Sequence, residues 1–143
     1  MSAESQNARA VVDQFIAALA GIHAGEKVDY LDYLADDAVF TITGRTPLSG
    51  TYNSVEEIRA RFRTETTKVM GKNPGYGIFP TRYIQEGNEI VVLAKGRSGN
   101  MLGQPYNNSY FLYFRVEGNK VVHYVENFDA SLAWRAVFGC HLG

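Results

Sequence analysis

The chain has little sulfur and few breakers: one cysteine (Cys140), one tryptophan (Trp134), three histidines and four prolines in 143 residues. A single thiol excludes an internal disulfide framework and any metal centre built from cysteines. No apolar run reaches the length of a signal-peptide core or a membrane span. Neither sign of charge dominates. The formal net charge is −1, so no global field favours nucleic acid or an anionic membrane. These absences lead to the expectation of a cytoplasmic protein with one domain, 1–143, and no metal ligands. Two local patterns also carry nothing. Arg59, Arg61 and Arg63 alternate with Glu56, Glu57 and Glu65, which describes a solvated helix face and not a nucleic-acid patch. Gly71-Lys72-Asn73-Pro74-Gly75 leaves a helix and lacks the Gly-Lys-Ser/Thr ending of a phosphate loop.

What is present is apolar and aromatic: 45% of residues are hydrophobic and 13% aromatic. Ala8, Val11, Val12, Phe15, Ile16, Leu19 and Ile22 recur at helical spacing, with Gly21 and Gly25 at the end. A second, short helix is expected from about Lys27 to Leu34, burying Val28, Leu31 and Leu34, and a strand from Ala38 to Thr43. Ser54 and Glu57 form a capping box. They open a third helix with Val55, Ile58, Phe62, Thr66 and Val69 inside and a Glu57–Arg61 pair outside. Phe79–Gln85 and Glu89–Lys95 make a hairpin about Glu86-Gly87-Asn88. Ser98 to Pro105 is either an ordinary connection or a flap over a cavity.

Tyr110–Val116 and Lys120–Phe128 read as two long strands, followed by a short helix that Asp129 caps. The order implies an α+β fold: a strongly bent, mainly antiparallel sheet wrapped around three N-terminal helices, plus a short C-terminal helix. Phe111, Tyr113 and Val125 make the outer sheet face apolar too, which a two-fold homodimer would cover.

Glu126 is the residue on which function turns. Side chains repeat every second residue along a strand, so Glu126 shares a face with Val122, Tyr124 and Phe128. A carboxylate there is costly unless hydrogen-bonded or shifted in pKa. A three-residue turn, Glu117-Gly118-Asn119, places Glu126 opposite Tyr110 and sets Asn108, Tyr110 and Leu112 beside Phe128, Glu126 and Tyr124. The carboxylate is then either an acid–base group or a structural acid held by Tyr110 or backbone amides.

VVDQFIAALAG, LADDAVFTITG, PLSGTYNSVEEI, QPYNNSYFLYFRVEGNKVVHYVENFDASL and the terminal AVFG together resemble the nuclear transport factor 2-like superfamily, the cone-shaped α+β barrel. Pro105, Tyr106, Asn108 and Tyr110, with Glu126 and Asp129, are most similar to its SnoaL-like polyketide cyclase branch. The scaffold hosts many chemistries. Ketosteroid isomerases carry a tyrosine where this chain has Phe15, and catalytic aspartates near Ile42 and Leu112. Limonene epoxide hydrolases use an Asp-Arg-Asp set that VVLAKGR lacks. Scytalone-type dehydratases need cavity histidines, whereas His23, His123 and His141 lie elsewhere.

The resemblance implies cofactor-independent acid–base chemistry on a small apolar or polyketide-like carbonyl compound. In that reading Glu126 is the proton shuttle, and Tyr110 and Asn108 hold the carbonyl or enolate oxygen. Phe15, Phe40, Leu112, Tyr124, Phe128 and Trp134 supply the ligand wall, and Tyr83 or Arg97 add polarity at the rim. A non-catalytic carrier or sensor and a protein-interaction module are the alternatives.

Overall fold

The computed structural model describes residues 2–23, 25–70, 76–98, 100–101 and 104–139. The Gly71–Gly75 segment, Cys140, His141 and part of the Ser98–Pro105 loop lie outside the described residues.

Helix α1 (Ala3–His23) follows the apolar stripe, burying Ala8, Val11, Val12, Phe15, Ile16 and Leu19. The expected second helix shrinks to a single 3-10 turn, Tyr30–Tyr33, capped by the Asp29 carboxylate on the Leu31 N–H. Val28 stays exposed, because one tight turn can bury only Tyr30 and Leu31. Strand β1 (Leu34–Ile42) therefore starts earlier than the sequence suggested, and β2 (Gly50–Tyr52) pairs with its end.

Ser54 accepts the Glu57 N–H, and the Glu57 carboxylate takes the Asn53 N–H and the Arg61 guanidinium. The helix these residues open has three parts: α2 (Val55–Glu57), a π-helical stretch (Ile58–Arg63) and α3 (Thr64–Met70). The wide turn shifts the inner stripe. Ile58, Phe62 and Thr66 are buried and Met70 follows them, while Val69 faces outward.

Strands β3 (Gly77–Glu86) and β4 (Glu89–Arg97) form the expected hairpin, and β5 (Asn100–Met101) pairs with β6 (Gln104–Pro105). Strands β7 (Ser109–Glu117) and β8 (Lys120–Phe128) precede α4 (Ala130–Ala136), whose N-cap Asp129 accepts the Leu132 N–H. The main sheet runs β2-β1-β8-β7-β4-β3, antiparallel except between β1 and β8. It curls around the helices without closing between its edge strands. Among the described residues no helix is long and apolar enough to cross a membrane.

The register of β7 against β8 differs from the expectation. Glu117 pairs with Lys120, so the turn is the two-residue Gly118-Asn119, with Gly118 at φ 60°. A bulge between Val121 and His123 then adds one residue to β8, and Glu126 lies opposite Leu112, with Tyr110 opposite Phe128. The bulge turns both Val121 and Tyr124 inward and leaves Val122 only half-buried. It reconciles the tight turn with an inward Glu126.

Candidate functional site

Between the curled sheet, Thr66 and Met70 of α3, and α4 lies a hollow of about 70 Å³. Its wall is apolar and aromatic: Leu19, Tyr30, Ile42, Leu48, Phe62, Met70, Tyr76, Tyr106, Tyr110, Phe128, Ala133, Val137 and Phe138, with Thr46 and Thr66. Glu126 is the one charged residue among them.

Three local features place that carboxylate. Ile42 on β1 pairs with Glu126 on β8, and both border the hollow. The Glu126 carbonyl accepts the N–H and the hydroxyl of Thr43, at 3.1 and 2.9 Å, which pins β8 to the end of β1. The Tyr124 hydroxyl, two residues back on the same face, donates to Oε1 at 2.6 Å. The Oε2 atom accepts no hydrogen bond from a described residue. Glu126 retains some accessible surface, and that surface belongs to the wall it lines. Removal from bulk water raises its pKa to about 6, and the Tyr124 hydrogen bond opposes the rise.

The polar side of the wall is a run of phenols. The Tyr76, Tyr106 and Tyr110 hydroxyls lie close enough to influence one another's ionisation. Burial pushes the Tyr106 hydroxyl up to about 12 and that of Tyr110 well above its ordinary value, so both stay protonated donors. Gly96 makes room for this run: a Cβ there would meet the Tyr110 ring at 2.8 Å.

Asn108 is 1% exposed and does not border the hollow. Its amide N–H groups donate to the Tyr106 hydroxyl (3.2 Å) and the Asp129 carbonyl (3.0 Å). Its oxygen accepts the Ser109 and Asp129 N–H groups (both 2.8 Å). Every hydrogen-bonding position of the amide is occupied. Asn108 thereby fixes both the Tyr106 hydroxyl and the start of α4.

Of the other residues the sequence singled out, Phe128 lines the hollow. Tyr124, Phe40, Leu112 and Phe15 lie one layer behind it, each at most 1% exposed. Phe40 packs on Tyr124 with ring centroids 4.8 Å apart, and Phe15 wedges among Tyr30, Phe114 and Tyr124. Trp134 is half-buried on α4 and does not border the hollow; Ala133 and Val137 do. Tyr83 donates to Asp13 at 2.7 Å beneath the Arg9 guanidinium, and Arg97 sits over the Phe79 ring, so neither reaches the rim. His123 meets the Tyr113 ring on the outer face. Sequence reasoning missed Tyr30, Phe62, Tyr76 and Tyr106 as wall residues. Of these, Phe62 carried a signal as a member of the inner helix stripe, and Tyr106 as part of the motif with Pro105, Asn108 and Tyr110. Among the described residues no group of three or more His, Cys, Asp or Glu side chains could hold a metal ion.

No protein-family profile and no curated protein matches the chain. Solved structures do match it. A candidate SnoaL-like polyketide cyclase from Jannaschia sp. CCS1 aligns over 99% of this chain and 98% of its own, with a TM-score of 0.73 and 14% identity. An NTF2-like protein of unknown function from Burkholderia pseudomallei K96243 gives 0.73 and 23% identity over 96% and 98%. TerC, co-crystallised with polyporic acid, gives 0.69 and 17% identity over 91% and 98%. The chain has the NTF2-like α+β fold.

Proposed function

We propose that the hollow binds a small, mostly apolar carbonyl compound and that Glu126 moves a proton on it, in a cofactor-independent reaction of isomerase, cyclase or dehydratase type. The carboxylate takes a hydrogen from the carbon beside the carbonyl. The electron pair moves onto the oxygen, and the acid returns the proton to a second atom. Tyr110, backed by Tyr76 and Tyr106, donates to the developing enolate oxygen. Asn108 acts as a positioning residue through Tyr106.

The observation that carries this reading is one carboxyl in an apolar hollow, with no donor to its Oε2 among the described residues and its pKa brought to about 6, close to neutrality, where it serves as either base or acid. The ketosteroid isomerase resemblance puts a base at the position of Ile42, and Glu126 enters the same wall from the adjacent strand. At about 70 Å³ the hollow has room for about five water-sized groups, well below a drug-sized pocket, so small substrates are favoured over polycyclic ones.

The test is deuterium uptake from D₂O into a panel of small ketones, followed by NMR. Catalysed exchange at the carbon beside the carbonyl is expected. Binding without exchange across the panel would instead favour the carrier or sensor, a reading supported by Glu126 being the one charged group of the wall among the described residues.

The outer sheet face supports a second copy as partner. Phe111, Ile84 and Phe79 are 58%, 52% and 48% exposed, an apolar surface that self-association would cover. Sedimentation should give a dimer for the parent chain and a monomer for Phe111→Lys. A monomeric parent at micromolar concentration would refute it.

A further inference from the structure

The wall of the hollow is electrically one-sided. Glu126 contributes a carboxylate, and among the described residues no lysine, arginine or histidine borders the space. Burial and the Tyr124 hydroxyl are the influences on its ionisation, and no cation among the described residues compensates it. Tyr124 serves Oε1, which leaves Oε2 without a donor among the described residues. The groups facing it are phenols, and Tyr30, Tyr76 and Tyr110 all feel its charge as a further upward push on their own ionisation. An uncompensated buried charge is expensive, and a protein that keeps one gains most from a ligand that supplies its opposite. Aromatic walls add to this, since ring faces attract cations and repel anions.

We propose that the ligand of this hollow carries a compact positive charge, a small tertiary or quaternary ammonium group seated against Oε2 of Glu126 among the tyrosine rings. The proposal rests on the hollow being a ligand site and narrows what fits beside Glu126: a small cation is accepted there, and carboxylates and phosphates are rejected. About five heavy atoms fit the space, which matches a methylated ammonium head.

The test uses three probes of similar shape at pH 8: tetramethylammonium, neutral tert-butyl alcohol and anionic pivalate, titrated calorimetrically into the full chain. Tetramethylammonium is expected to bind at least about tenfold more tightly than tert-butyl alcohol, with no binding of pivalate. In Glu126→Gln, checked for folding by its thermal melt, the two measurable affinities should converge. Should Glu126→Gln not fold, competition by tetramethylammonium against tert-butyl alcohol in the parent chain gives the same ratio. Equal affinities, tighter pivalate, or a preference that survives the glutamine overturns the proposal. If all three probes fail while ketone exchange persists, the charge preference alone is wrong. If exchange fails too, the hollow is not a ligand site and both readings fall.

Discussion

A Glu126→Gln variant is expected to lose proton transfer and yet to be more stable than the parent above pH 6. The loss, on the order of a hundredfold to ten-thousandfold in turnover, follows from removing the one wall group among the described residues able to accept and return a proton near neutrality. The gain follows from linkage. The Glu126 carboxyl titrates near 4.5 when unfolded and at about 6 in the folded protein. Between those values the folded state holds the proton more tightly. The contribution of this group is therefore most favourable below pH 4.5, declines as pH rises through 6, and stays at its minimum above that. Burying the ionised form costs roughly 2 kcal/mol, and glutamine does not incur it. Tyr124 can still donate to the glutamine carbonyl, so the hydrogen bond at Oε1 survives. Denaturant unfolding of parent and variant at pH 4.5 and pH 8 measures the difference between them, in which the exposed carboxylates cancel. A variant no better relative to its parent at pH 8 than at pH 4.5 would mean that the folded protein compensates the charge, and the raised pKa would be wrong with it.

How much of this was legible beforehand depends on the kind of information each residue carries. The α1 stripe, the Ser54 cap, the Asp129 cap and the strands around Gly118-Asn119 are written in local periodicity and turn chemistry, and the fold retains them. The inward face of Glu126 was readable for the same reason. Its partner was not, because the bulge at Val122 depends on packing Val121 and Tyr124 together against the helices. Depth was equally hidden. Period-two alternation says that Leu112, Tyr124 and Phe40 point inward, but not that each stops one layer short of the hollow. Tyr30 and Tyr76 border it from a single 3-10 turn and from the approach to β3, where no periodic pattern exists. The π-helical stretch left no trace either, yet it decides that Thr66 and Met70 face the hollow while Val69 faces water.

That layering gives the largest expected stability effect. Phe15 touches three rings: Tyr30 at 5.7 Å, Phe114 at 5.4 Å and Tyr124 at 5.1 Å between centroids. It is fully buried and joins α1 to β7 and β8. Phe15→Ala should cost about 3–5 kcal/mol, because the lost transfer energy is joined by a cavity that rigid neighbours cannot refill. Edge-to-face contacts, worth about 1 kcal/mol each, place the value toward the upper end. Phe15→Leu keeps most of the volume and should cost about 1.5 kcal/mol or less. Neither residue change alters a group on the wall, so ligand affinity in Phe15→Leu should stay within about twofold of the parent, a difference of roughly 0.4 kcal/mol. A residue in contact with ligand would show the reverse pattern: a small stability loss on truncation and a large loss of affinity in the leucine variant. A denaturation midpoint that barely moves in Phe15→Ala would put this ring on the wall and bring the hollow deeper into the sheet than the present geometry places it.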